Sequence, residues 1–108
     1  MSALAAAEAR IAIQRERARS VIYYARVGPL IKIGTTIDLS TRMRTLGVDC
    51  VLVTEPGTYE LEHQRHREFA RSKAPRGIEY FHETADLVEH IRRLQMVAAE
   101  QARTATAS

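Results

Sequence analysis

The chain has 108 residues, 45% hydrophobic and 27% charged, with a formal net charge of +3; it is long enough for one soluble globular domain and too short for two. It has no run of roughly 18 apolar residues, which excludes a membrane-spanning helix, and the Ala-rich N-terminus lacks the apolar core of a secretory leader, so a cytoplasmic protein is expected. The single cysteine, Cys50, excludes an internal disulfide; the four histidines form no H-x-x-x-H pair with a nearby thiol, so no Cys/His zinc cluster is expected, and within the apolar run of residues 48–53 Cys50 reads as a small buried hydrophobe.

Residues 3–19 are rich in Ala, Glu, Arg and Gln and predict a helix. Its apolar stripe is thin, little more than Leu4 and Ile11, so it reads as an appendage or as the contact of a homodimer. Ser20 breaks the pattern. Residues 21–27 and 30–33 are β-branched and aromatic runs joined through Gly28-Pro29, which predicts a β-hairpin. With a two-residue turn, Val27 faces Leu30, Ala25 faces Lys32 and Tyr24 faces Ile33. Alternation then puts Ile22, Tyr24, Ile31 and Ile33 on a core face, and Tyr23, Ala25 and Lys32 on the other. A phenol beside an ammonium on that second face is either a solvated cross-strand pair or the start of a site.

Gly34-Thr35-Thr36 reads as a turn. Residues 38–46 predict a helix with Leu39, Met43 and Leu46 on one stripe, stopped by Gly47. Residues 48–54 predict a third strand, and Pro56-Gly57-Thr58 turns the chain into a helix over residues 59–71. A loop over 73–77 and a short strand over 79–82 follow. Thr84 then caps a last helix, on which Leu87, Ile91, Leu94 and Ala98 recur at helical spacing; residues 104–108 read as frayed. The expected fold is α/β of the α+β kind: a small three- to four-stranded, mainly antiparallel sheet flanked by helices, with an extra N-terminal helix. The expected organisation is a helical extension over 1–20, one domain over 21–101 and a flexible tail over 102–108.

On the helix after Gly57, Glu62, His66 and Phe69 share a stripe led by Tyr59. An ionisable stripe of this kind is either a Glu–His pair at the edge of a core or a site. His66 could hydrogen-bond a phosphate or Glu62, or simply pack. Charge is uneven: residues 1–76 hold thirteen Lys or Arg against eight Asp or Glu, and the remainder three against five. Arg44, Arg65, Arg67, Arg71, Lys73 and Arg76 are suited to backbone phosphates, with solvated surface charge as the alternative.

Taken in order, V-I-Y-Y-A-R, a Gly-containing turn, I-K-I-G-T-T, Arg42, the E-x-x-x-H-x-x-F of Glu62, His66 and Phe69, and Gly77-Ile78-Glu79-Tyr80-Phe81 resemble the GIY-YIG nuclease superfamily. The resemblance is to its phage-type branch with K-I-G in place of Y-I-G, and it covers about residues 21–94. The chain departs from the pattern at Val21, where the family has glycine, at Leu46, where many members carry His or Tyr, and at the inserted Ile78. The resemblance implies a DNA endonuclease with catalytic residues Tyr23, Lys32, Arg42, Glu62 and His66. In it Tyr23 is a general base, Lys32 orients the water, Arg42 grips the phosphate and Glu62 binds one Mg²⁺ or Mn²⁺. The rival expectations are a DNA-binding module of the same fold without chemistry, and a protein-interaction domain.

Overall fold

In a computed structural model, which describes residues 3–107, β1 (Val21–Val27) and β2 (Leu30–Thr36) pair antiparallel with Val27 opposite Leu30, Ala25 opposite Lys32 and Tyr24 opposite Ile33. The turn holds that register: Gly28 has φ +59° and Pro29 fixes a negative φ after it, the combination of a II′ hairpin turn. β2 does not stop at Ile33. Val21, Ile22 and Tyr23 offer partners to Thr36, Thr35 and Gly34, so the segment expected to turn continues as strand.

The element order is α1 (Ala3–Arg19), β1, β2, α2 (Leu39–Leu46), β3 (Cys50–Pro56), α3 (Tyr59–Glu68), a 3₁₀ turn (Ala70–Ser72), β4 (Tyr80–His82) and α4 (Ala85–Ala107). The four strands form one antiparallel sheet in the order β3-β1-β2-β4. This is the expected mixed α and β architecture, a small antiparallel sheet with flanking helices. Val53 pairs with Tyr24 and Val51 with Ala25, so Leu52 is an extra residue that bulges the edge strand; Gln95 on α4 donates to its carbonyl at 3.0 Å.

Ile22, Tyr24, Ile31 and Ile33 are fully buried on the core face, where Phe69, Leu87 and Ile91 from the helical side join them. Burial of side chains this size stabilises the fold by roughly 1.5–3 kcal/mol each. Leu61 of α3 and Leu94 of α4 pack against the same cluster, which puts both helices over this face. α2 is closed at its start by Asp38, whose carboxylate accepts from Thr41 N at 3.2 Å, and at its end by Gly47 at φ +62°.

Several expectations need correction. Cys50 is exposed, because it opens an edge strand rather than sitting inside one. α3 ends at Glu68 and tightens into the 3₁₀ turn instead of running on to residue 71. Thr58 begins α3 without a side-chain capping bond, its hydroxyl going to Glu60 instead. α4 stays helical to Ala107, through residues expected to fray. Residues 1, 2 and 108, placed by the sequence in the extension and the tail, lie outside the described residues. Leu4 and Ile11 on α1 are exposed, as its thin stripe implies. Among the described residues no helix is long and apolar enough to cross a membrane.

Candidate active site

The second face of the hairpin is not solvated. Tyr23 is 2% exposed and Lys32 7%, although neither belongs to the main apolar cluster. Register places Tyr23 against Gly34, and a side chain added at Gly34 would fall on the Tyr23 ring and hydroxyl. The glycine is therefore the space in which the phenol lies. Lys32 pairs across the sheet with Tyr80 of β4, and its ammonium sits 4.9 Å from the centre of that ring. Arg76 covers Tyr80 as well, at 4.5 Å. Glu79 closes the group: its carboxylate meets Lys32 Nζ at 2.5 Å, while its backbone carbonyl accepts from Ile33 N at 2.9 Å.

Glu62 reaches this group from the other side of the sheet. It is 3% exposed on α3 and approaches Thr35, the residue next to the glycine beneath Tyr23. The Thr35 hydroxyl is close enough to favour the charged carboxylate but has no well-formed hydrogen bond of its own. Burial first, and then the charge of Glu79, push the Glu62 carboxyl above its ordinary value, against the pull of Thr35, His66 and His63. Among the described residues Glu62 forms no ion pair.

Arg42 projects from α2, exposed, and lines a cleft of about 270 Å³ with Thr36, Asp38, Thr41 and Thr45. Its charge is felt at Tyr23, as are those of Glu62 and Glu79. Tyr23 thus lies within electrostatic reach of Arg42, Glu62 and Glu79, the partner of Lys32. The field is not the one expected. A general base at Tyr23 needs a field that favours the phenolate, yet burial and Glu79 push the phenol up to about 12, with Arg42 only partly opposing them. Lys32 cannot supply the missing positive field because Glu79 already neutralises it.

His66 shares the helix face of Glu62, but its Nε2 donates to the carbonyl of Ile33 at 2.9 Å and its ring lies 5.2 Å from Phe81. This bond fastens α3 to β2. Arg65, expected among the phosphate contacts, is also committed elsewhere. Its fork takes both oxygens of Glu55 at 3.0 and 2.8 Å and reaches Glu68 at 2.8 Å. The reason is a buried polar knot on the core face that the sequence reading missed. The Tyr24 hydroxyl donates to Glu55 and lies 2.9 Å from His90 Nε2. Burial pushes the Glu55 carboxyl up, but Arg65 and Tyr24 more than offset it and hold it below its usual value. Burial, together with the charge of Arg65, lowers the His90 imidazole. Arg44, Arg67, Arg71, Lys73 and Arg76 are exposed.

Glu79 and Tyr80 are the site residues to which the sequence reading gave no role. Their signal was present in the short strand after Gly77, where alternation puts Tyr80 on the face of Lys32 and Phe81 in the core. No protein-family model, curated protein or solved structure matches the chain.

Among the described residues no group of three or more His, Cys, Asp or Glu side chains is arranged to hold a metal ion. Glu62 nevertheless fits a hard divalent cation. It is a buried carboxylate with no ion-pair partner, raised in pKa by a second carboxylate, and a cation there would relieve both penalties. A single carboxylate with retained water is an ordinary way to hold Mg²⁺.

Proposed function

We propose that the chain is a metal-dependent DNA endonuclease of the GIY-YIG type, hydrolysing phosphodiester bonds at the end of β2. The observation that carries this reading is that a guanidinium on α2 and a buried carboxylate on α3 without an ion pair, Arg42 and Glu62, both act electrostatically on the buried phenol of Tyr23 on β1. A buried carboxylate without an ion pair, in the field of a second carboxylate, is costly to a fold and marks a candidate functional site. In this reading Arg42 holds the scissile phosphate through its planar fork, Lys32 orients the attacking water, and the phenolate of Tyr23, formed when the phenol has given its own proton to solvent, receives a proton from that water. Glu62 would hold one Mg²⁺ or Mn²⁺, which would supply charge relief at the leaving 3′-oxygen. Arg44, Arg67, Arg71, Lys73 and Arg76 contact backbone phosphates without sequence choice.

The test is plasmid nicking with Mg²⁺ or Mn²⁺, comparing wild type with Glu62→Ala. The variant is expected to lose cleavage and to keep its affinity for DNA. Equal cleavage by both proteins refutes the metal assignment.

A second reading is a DNA-binding module of the same shape without chemistry. The raised Tyr23 phenol and the neutralised Lys32 favour it. Full DNA binding without nicking under any divalent ion would decide for this second reading.

A further inference from the structure

Lys32 and Glu79 differ in how firmly they are held. The Lys32 side chain is 9% exposed, fixed in β2 with its ammonium against Tyr80. The Glu79 side chain is 33% exposed and sits just before β4, next to Ile78, which is 68% exposed. Its backbone is pinned through Ile33, so only its carboxylate is able to swing. The ammonium offers three donors in a nearly dry setting, and the bound carboxylate occupies the direction from which an anion would come. Arg76, exposed and stacked on the outer side of the cluster at Tyr80, extends positive charge from that point toward solvent.

We propose that Glu79 is a competing anion built into the site: it holds Lys32 in the ligand-free protein, and a backbone phosphate of DNA displaces it. This rests on the nucleic-acid reading above and deepens it by naming the contact that must break when the substrate enters. The exchange is anion for anion at one ammonium, so the buried Lys32 keeps an anionic partner when DNA binds, while the partly exposed Glu79 carboxylate turns to solvent. The same carboxylate acts on its neighbours, since its charge raises both the Tyr23 phenol and the Glu62 carboxyl. Swinging away from Lys32 therefore changes the field at both. Glu79 is a positioning residue in this scheme: it acts through Lys32 and does not touch the reacting atoms.

The experiment measures binding of a fluorescently labelled short duplex in EDTA, where no cleavage occurs, to the full chain carrying Glu79→Gln, Lys32→Met or both changes. Glu79→Gln is expected to tighten binding by about fivefold at low salt, the scale of a partly exposed ion pair. The gain should disappear on the Lys32→Met background. An unchanged or weaker affinity for Glu79→Gln overturns the proposal, and so does an equal gain on both backgrounds, which would be a general charge effect. Nuclear magnetic resonance of the Lys32 ammonium in wild type needs no variant. Its signal must move when the duplex is added, and a signal unmoved at saturation also overturns the proposal. Parallel nicking assays keep the two readings apart: the binding pattern without nicking supports the displacement and removes the nuclease, whereas nicking without the pattern removes the displacement alone.

Discussion

The ring of Tyr23 occupies the space that a side chain at Gly34, its partner across the hairpin, would fill. The phenol is 2% exposed. Gly34→Ala is therefore expected to cost about 1–3 kcal/mol through overpacking. Urea unfolding measures this, and the cost should shrink when Tyr23→Ala removes the ring, because the two sites are coupled.

Glu62 is a stability cost at neutral pH. Its folded-state pKa lies above the ordinary value of 4.5, so the folded chain binds the proton more tightly. The stability this gives is present in acid and is lost as pH rises through the folded pKa. Glu62→Gln should therefore be more stable than wild type near pH 7, by on the order of 1 kcal/mol, and the difference should vanish below about pH 4. Mg²⁺ or Mn²⁺ should raise the melting temperature of wild type and not of the variant.

The two adjacent tyrosines separate chemistry from stability. Tyr24 lies in the buried knot with Glu55 and His90, so Tyr24→Phe should cost about 1–3 kcal/mol by leaving polar partners unsatisfied. Tyr23→Phe should leave stability nearly unchanged and reduce nicking by about 10²-fold or more. Unfolding and nicking measured on both variants check the assignment; the opposite ranking overturns it.

Acid should weaken the fold through the same knot. Glu55 and His90 both have folded pKa values below their ordinary ones of 4.5 and 6.5, so the unfolded chain binds their protons more readily. Stability from His90 begins to fall as pH drops past 6.5, and that from Glu55 as it drops past 4.5. Arg65→Ala leaves Glu55 without its bidentate partner and is expected to cost roughly 3–5 kcal/mol at neutral pH. Unfolding midpoints recorded from pH 7 to below 4 would show a flatter acid limb in that variant.

Salt should report which cations meet DNA. Removing Arg76, Lys73 or Arg44 is expected to lower the slope of log affinity against log salt by about one each. Changing Arg65 to Met should leave the slope unaltered, since its charge is already paired.

Short-range rules made much of the architecture legible. Alternation assigned Ile22, Tyr24, Ile31 and Ile33 to one face and Tyr23 and Lys32 to the other, and the Gly28-Pro29 turn fixed their register. Helical spacing likewise put Leu87, Ile91 and Leu94 on the buried side of α4. Each of these follows from the period of a strand or a helix, which neighbouring residues carry themselves.

Only the folded chain decided how the charges are spent. Arg65 and Glu55 lie ten residues apart on different elements, and Lys32 and Glu79 forty-seven apart. No local period encodes such meetings; they depend on how far each chain segment is carried and on what else is buried there. The sequence therefore supplied the candidate side chains, while tertiary packing withdrew Arg65 from the surface, tied His66 to a carbonyl and placed Glu79 on Lys32. Burial is the physical reason: once water is removed, each charge takes the partner that geometry puts within reach.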